Sequence, residues 1–307
     1  MLSLALALAL LIEPAAATPS APPATKPAEL PFSVQFDLPS KITGRTYRIY
    51  VAKPPAPPPT GGYPVIYVLD GGVAFPTAAA QAMMRTLGGG KAAIVVGVAY
   101  PNALASIVLR NRDLTPTQPN AWTLAMQGDT PDPDKYGGAD GFHRFMMEEL
   151  RPAIAGMHPV DSSNQTLIGY SLGGLFALHV MFKEPDAYRT VVAGSPSIWW
   201  NEREVLKGEA GFVAAVRAGR AHPRVLITSD GWEQSTQGSD LPAKPEMRAM
   251  MEKGIAAARM VDNARELAGR LKAVPGLDVR YALFADESHN TGLPAAVTRG
   301  VTFAMTP

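Results

Sequence analysis

Two segments near the start of the chain alternate apolar and polar residues. They cover residues 32–38 and 45–51, and Gly44 with its neighbours supplies a turn between them. Alternation with a period of two places one side of a strand against a core and the other toward solvent. The pattern therefore predicts an antiparallel hairpin at the edge of a sheet.

Further along, short apolar runs replace the alternation, as in strands that are buried on both faces of a sheet. Between the runs, apolar residues recur at helical spacing, for example Leu175, Leu178 and Phe182, and residues 246–273 predict one or two helices. Strands alternating with helices imply an α/β fold with a mostly parallel central sheet and helices on both faces. The six predicted buried strands include residues 65–69, 92–99, 167–168, 190–193, 224–228 and 279–284.

The first 31 residues differ in composition from the rest. Residues 2–12 are almost wholly apolar and residues 15–17 are alanines, a pattern typical of a secretory signal peptide that is too short to span a bilayer. The usual basic residues before the apolar run are missing. Residues 18–31 are rich in Pro and Ala and predict an unfolded tether. We expect a signal peptide over residues 1–17, one folded domain over residues 32–307, and a periplasmic or secreted protein with no stable membrane insertion after signal cleavage.

The charge and the cysteine count of the chain exclude some classes of partner and of chemistry. The 307 residues carry a formal net charge of +1 and no cysteine. Without a large positive field, the chain is not expected to bind nucleic acid. The lack of cysteine excludes disulfides, thiolate catalysis and cysteine-ligated zinc. We therefore expect a globular protein without a nucleic-acid partner.

The sequence Gly169-Tyr170-Ser171-Leu172-Gly173 lies between an apolar strand and an apolar helical segment. This is the context of a nucleophile elbow in the α/β-hydrolase fold, where glycines flanking a strained turn remove side chains that would clash. The pattern predicts Ser171 as a nucleophile and the backbone N–H of Leu172 as one oxyanion donor. A second donor is expected in the loop after residues 65–69, at Gly72 or, as the next choice, Gly71.

The order of catalytic residues in this fold is serine, acid, histidine. His289 follows the last predicted strand, where the base is expected. Two carboxylates, Asp230 and Glu233, follow the penultimate strand. Either of them is able to accept a hydrogen bond from the imidazole and fix its tautomer, so the residues alone leave the acid open.

Five sequence blocks occur together and in order. They resemble the putative-esterase (esterase D-like) branch of the α/β hydrolases, and most of all its siderophore esterases of the enterobactin, salmochelin and bacillibactin type. The resemblance covers roughly residue 32 to the C-terminus. The blocks are residues 67–71, 110–116, 145–152, 169–174 and 195–200.

The resemblance implies a serine carboxylic-ester hydrolase that forms an acyl-enzyme on Ser171 and needs no metal or organic cofactor. A Gly-x-x-Glu pattern commonly ends in the acid in that group, and residues 230–233 match it with Asp230 in place of glycine. This match favours Glu233 as the acid. The implied substrate is a small-molecule siderophore ester. A general or feruloyl-type periplasmic esterase, or an acyltransferase on the same fold, are the alternatives.

Four residues are candidates for substrate binding. Arg110 and Arg112 are expected in a loop at the ligand-binding edge of the sheet, where an arginine binds a carboxylate or catecholate with two hydrogen bonds. An ion pair with Asp113 within the loop is the alternative. Of Trp199 and Trp200, one is expected to pack in the core, and Trp200 is our candidate for stacking on an aryl acyl group.

Overall fold

The computed structural model describes residues 25–237 and 244–306, without the side chains of residues 103–107 and 127. The predicted signal peptide, residues 1–17, lies outside the described residues. From Phe32 onward the described residues form one compact unit. No helix within the described ranges is long and apolar enough to cross a membrane.

An eight-stranded sheet with the order β1-β2-β4-β3-β5-β6-β7-β8 forms the centre of this unit. The pairs β1–β2 and β2–β4 are antiparallel, and every other neighbouring pair is parallel. The predicted edge hairpin and the mostly parallel sheet are both confirmed. The strands are β1 Ser33–Pro39, β2 Thr46–Ala52, β3 Tyr63–Val68, β4 Ile94–Ala99, β5 Val160–Tyr170, β6 Thr190–Gly194, β7 Arg224–Asp230 and β8 Asp278–Phe284.

Eleven α-helices are assigned within the described ranges, together with a π-helical turn at Met146–Leu150 and a 3₁₀ turn at Glu204–Gly208. Residues 246–273 form two helices because Arg259 breaks them with a left-handed φ of 45°. The helices are α1 Gly71–Leu87, α2 Ala103–Leu114, α3 Ala121–Gln127, α4 Ala139–Phe145, α5 Arg151–Met157, α6 Leu172–Lys183, α7 Trp200–Arg203, α8 Glu209–Arg217, α9 Pro245–Ala258, α10 Met260–Lys272 and α11 Leu293–Ala304.

Helices cover both faces of the sheet, as predicted. Side chains alternate along each strand, so Leu167 of β5 joins the core cluster that contains Leu175 of α6. Its neighbour Ile168 points to the opposite face. There α11 approaches so closely that a Cβ on Gly300 would lie 3.2 Å from the Ile168 Cδ1. The strands therefore read as continuous apolar runs because both of their faces are buried.

One element differs from its prediction in a way that affects the site. Arg110 and Arg112 lie in helix α2, not in a loop. The polar run from Arg110 to Asp113 looked like a loop because it lacks an apolar stripe. Its arginines are helical residues whose polar groups find partners elsewhere in the fold.

Candidate active site

Ser171 lies at the turn between β5 and α6 in a conformation that few residues adopt. Its φ of 60° and ψ of −120° are unfavourable for a residue with a Cβ. A Cβ on Gly169 would lie 2.0 Å from the Gly173 carbonyl oxygen, and one on Gly174 would lie 2.7 Å from the Gly194 carbonyl oxygen. Glycine is therefore required at both positions, and the crowded turn holds the serine at the carboxyl end of the sheet.

A chain of hydrogen bonds leads from this serine to a buried carboxylate. His289, in the loop after β8, has its Nε2 2.9 Å from the Ser171 Oγ. Its Nδ1 lies 2.5 Å from Oε1 of Glu233. The Glu233 side chain is 1% exposed, whereas that of His289 is 39% exposed. The imidazole is thus held between the hydroxyl and the acid, with one edge open to the cleft.

The second oxygen of Glu233 is also fixed. Oε2 accepts hydrogen bonds from the Asp230 backbone N–H at 2.9 Å and from the Ser195 Oγ at 3.0 Å. These two contacts aim Oε1 at the imidazole. Of the two carboxylates that the residues left open, the structure places Glu233 against His289.

Asp230 lies behind this acid rather than beside the imidazole. Its Oδ2 accepts a hydrogen bond from the Tyr170 hydroxyl and lies 2.8 Å from the Ser195 Oγ, whose single hydroxyl hydrogen it shares with Glu233. Burial raises the pKa of Asp230 to about 6, and the nearby Glu233 acts in the same direction, while the hydrogen bond from Tyr170 opposes them. Sequence reasoning did not single out Ser195 or Tyr170, although both lie in blocks that carried the family resemblance.

The backbone donors expected for an oxyanion lie at the starts of two helices. Leu172 is the first residue of α6, and Gly71 and Gly72 begin α1, so their N–H groups have no carbonyl partner within their own helix. A Cβ on Gly71 would lie 2.8 Å from the Gly97 carbonyl carbon, whereas the space at Gly72 is open. The assignment of Gly72 as the second donor stays a prediction.

Arg110 holds the loop that precedes α1. Its Nε and Nη2 both donate to the Asp70 carboxylate at 2.8 Å, and Asp70 has a left-handed φ of 53°. Asp113, the alternative partner expected for Arg110, instead forms an ion pair with Arg45, with 3.1 Å between the Arg45 Nη1 and the Asp113 Oδ1. Arg112 donates to the Asp134 carbonyl oxygen at 3.0 Å. Neither arginine lines the cleft at Ser171, so the structure does not place them where substrate binding was expected.

The two tryptophans have the opposite roles to those expected. Trp200 is 1% exposed and packs against Tyr136 in the core. Trp199 lines the cleft at Ser171, edge-on to Trp122, with 6.2 Å between the ring centroids. Trp200 as the substrate-stacking residue is therefore wrong. Helix α7 begins at Trp200, and the direction of the chain at this helix start decides which of the two adjacent tryptophans faces the cleft.

The cleft has a volume of about 860 Å³ and is mainly apolar. Ser171, His289 and Ser197 lie at its base, and the Ser197 Oγ is 3.5 Å from the Ser171 Oγ. Its walls come from Trp122 and Met126 of α3, from one side of α9, and from Trp199. Residues 245–258 contribute most of the apolar wall.

Asp230, Glu233 and His289 also have ligand atoms within 4.8 Å of one another, the spacing of a metal site. However, Nδ1 of His289 and Oε1 of Glu233 are 2.5 Å apart. Two ligands about 2.0–2.2 Å from one tetrahedral ion lie more than about 3 Å apart. At this separation the two atoms are paired by a hydrogen bond rather than by an ion between them.

A strained serine after a central parallel strand, hydrogen-bonded to a histidine after the last strand, defines a serine hydrolase of the α/β-hydrolase fold. The sequence model of the family described as "Putative esterase" matches residues 40–253. The chain belongs to this esterase family, and it is an enzyme that hydrolyses esters.

Several relatives match over most of their length. The chain is 35% identical to the ferri-bacillibactin esterase BesA of Bacillus subtilis, over 87% of this chain and 88% of that protein. It is 33% identical to a siderophore triacetylfusarinine C esterase of Aspergillus fumigatus, over 79% and 81%. The crystal structure of the BES protein from Bacillus cereus superimposes with a TM-score of 0.74 at 31% identity, covering 92% of this chain and all of that chain. The resemblance to siderophore esterases drawn from the sequence is confirmed.

Proposed function

We propose that this protein hydrolyses siderophore esters through Ser171, His289 and Glu233. His289 Nε2 removes the proton of the Ser171 hydroxyl as the oxygen attacks the ester carbonyl carbon. The Glu233 carboxylate accepts a hydrogen bond from the Nδ1–H group of His289. This bond fixes the tautomer and stabilises the imidazolium that forms. The observation that carries this proposal is the continuous chain of hydrogen bonds from Ser171 to Glu233.

The tetrahedral intermediate places a negative charge on the former carbonyl oxygen. We assign its stabilisation to the backbone N–H groups of Leu172 and Gly72, at the N-termini of two helices. One such donor typically contributes about 3–4 kcal/mol to transition-state stabilisation. His289 then protonates the leaving alcohol, which leaves an acyl group on Ser171. Water attacks the acyl-enzyme in the same manner and releases the acid.

The siderophore substrate is supported by the relatives, whose names specify bacillibactin, triacetylfusarinine C and enterobactin. The size of the cleft also supports it, because about 860 Å³ lies toward the upper end of the range for small-molecule sites. A short acyl ester would leave most of this space empty.

A fluorophosphonate probe and a hydrolysis assay test this proposal. Wild-type protein is expected to be labelled on Ser171 and to cleave an iron-loaded siderophore ester, and Ser171→Ala is expected to do neither. Ser197→Ala is the matched control, because it removes a neighbouring hydroxyl and leaves the hydrogen-bond chain intact. Labelling of Ser171→Ala equal to that of the wild type would refute the assignment. Faster capture of the acyl group by an added alcohol than by water would instead identify an acyltransferase.

We also propose export to the periplasm or medium, on the strength of residues 2–12 and 15–17. Expression of the full chain in a Gram-negative host, followed by fractionation and N-terminal sequencing, tests this. Mature protein in the periplasm that begins near residue 18 is the expected result. Full-length protein confined to the cytoplasm would contradict the proposal.

A further inference from the structure

The wall of the cleft is formed by apolar side chains from two helices that face each other. Helix α9 contributes Met247, Met250 and Met251, and α3 contributes Trp122 and Met126. The helices meet where Gly254 of α9 approaches the Met126 side chain, whose Cε would lie 3.7 Å from a Cβ at that position. Methionines adapt their shape to a ligand because their side chains are unbranched and flexible.

Charge is scarce in this wall. Among the described residues that line the cleft, two have formally charged side chains, Glu233 and Lys253. Glu233 is turned inward onto His289. Lys253 is thus the one cation of the wall, and the stretches of chain that the structure does not describe contain no lysine or arginine.

Arginines close to the site are occupied by other groups. Arg110 is bound through two hydrogen bonds to Asp70. Arg259, at the end of α9, is ion-paired with Glu266 at 2.6 Å. Releasing either guanidinium to a substrate would leave a carboxylate without its partner. Among the described residues, the lining of the cleft therefore offers no cluster of cations to an anionic ligand.

Iron chelates differ sharply in charge. Three doubly negative catecholates around Fe³⁺ leave a complex with three negative charges, whereas three singly negative hydroxamates leave a neutral complex. Moving an ion from water into an apolar site is costly unless a partner of opposite charge compensates it. One lysine on the wall cannot balance three negative charges, while a neutral complex needs no compensation.

We propose that the cleft selects uncharged, bulky esters, and that among iron chelates its substrates are neutral ferric hydroxamate esters rather than trianionic ferric catecholate esters. This inference rests on the proposed siderophore-ester function. It also differs from what the bacillibactin relative by itself would suggest, because it follows from the cleft's own side chains.

The test compares two substrates on purified wild-type enzyme, ferric triacetylfusarinine C as the neutral ester and ferric enterobactin as the trianion. We expect kcat/KM for the neutral ester to exceed that for the trianion by about tenfold or more. We also expect kcat/KM for the neutral ester to change little with added salt. A kcat/KM for the ferric catecholate equal to or above that for the hydroxamate would overturn the inference.

Binding separates this inference from the catalytic proposal. The quenching of tryptophan fluorescence in Ser171→Ala reports the affinity of each chelate without turnover, because Trp122 and Trp199 lie in the cleft. Tighter binding of the neutral chelate supports the inference even if the wild type hydrolyses neither ester, a result that would refute the proposed function alone. Tighter binding of the trianion overturns the inference.

A charge added at the rim gives a second test. Met250 is 70% exposed, so Met250→Lys is expected to fold normally. One further cation is expected to raise kcat/KM for the ferric catecholate about fivefold at low salt. This factor corresponds to about 1 kcal/mol, the energy of an ion pair in water. Met250→Gln, which is polar but uncharged, is the matched control. An equal change in both variants would contradict the role of charge.

Discussion

Asp230 is a buried carboxyl group directly behind the proposed triad acid. Because it is buried, its ionisation is expected to change the free energy of unfolding measurably with pH. The residue has 0% exposure, and its Oδ1 has no hydrogen-bond partner among the described residues. Tyr170, Ser195, Glu233 and His289 surround it. Asp230→Asn keeps the shape of the side chain and removes its ability to ionise.

The expected effect on stability follows from the pKa. A rise from 3.8 to about 6 corresponds to about 3 kcal/mol, at about 1.4 kcal/mol for each unit. Unfolded chains lose the Asp230 proton near pH 4 and the folded protein keeps it to about pH 6, so the wild type loses stability as pH rises through this window. Asp230→Asn has no ionisable group at this position and therefore does not lose this stability as the pH rises. Because the amide forms weaker hydrogen bonds with Tyr170 and Ser195 than an ionised carboxylate does, we expect a net gain of about 1–2 kcal/mol above pH 7.

Urea unfolding of both proteins at pH 4.5 and pH 8 measures this difference. The free energy of unfolding of Asp230→Asn, relative to the wild type, is expected to be higher at pH 8 than at pH 4.5. The same difference at both pH values, or a difference that favours the wild type at pH 8, would refute the assignment of a raised pKa to Asp230.

The same variant distinguishes the two candidate acids by activity. Asp230→Asn is expected to keep kcat/KM within about tenfold of the wild type, because the hydrogen bond between His289 and Glu233 remains. Glu233→Gln is expected to lose about 10⁴ in kcat, the usual cost of removing the triad acid. An equal loss in both variants would mean that Asp230 shares the role assigned to Glu233.

Two further pairs of substitutions test neighbouring residues with opposite environments. Gly71→Ala is expected to destabilise the fold by about 2 kcal/mol because its Cβ would contact the backbone of Gly97, whereas Gly72→Ala is expected to leave the melting temperature nearly unchanged. Greater destabilisation by Gly72→Ala would contradict this. Trp200→Ala is expected to lower the free energy of unfolding by about 3–5 kcal/mol, and Trp199→Ala to raise KM about fivefold with a smaller loss of stability. A rise in KM for Trp200→Ala alone would show that the two assignments are reversed.

The framework of the site was predictable because it depends on local patterns. Apolar runs identified the buried strands, and glycines around Ser171 identified the turn. The order of elements then placed His289 after the last strand. Strand β5 was predicted only at its C-terminal end, because its first half, from Val160 to Asn164, is not buried and carries no apolar run.

Residues that depend on a partner distant in sequence were less predictable. Arg110 looked available for substrate, but the fold brings Asp70 to it from another loop. Asp113 likewise pairs with Arg45. A charged side chain reveals its type in the sequence but not its partner, and the partner decides whether its charge is available to a ligand.

The sequence by itself determined the α/β class, the nucleophile elbow, the family and the two carboxylates that are candidates for the acid. Only the tertiary structure placed Glu233 against His289 with Asp230 behind it, Trp199 in the cleft with Trp200 in the core, and a methionine-lined wall over the serine. The physical reason is range: periodicity and glycine sterics act between neighbours in the chain, whereas burial and charge pairing depend on which distant segments meet.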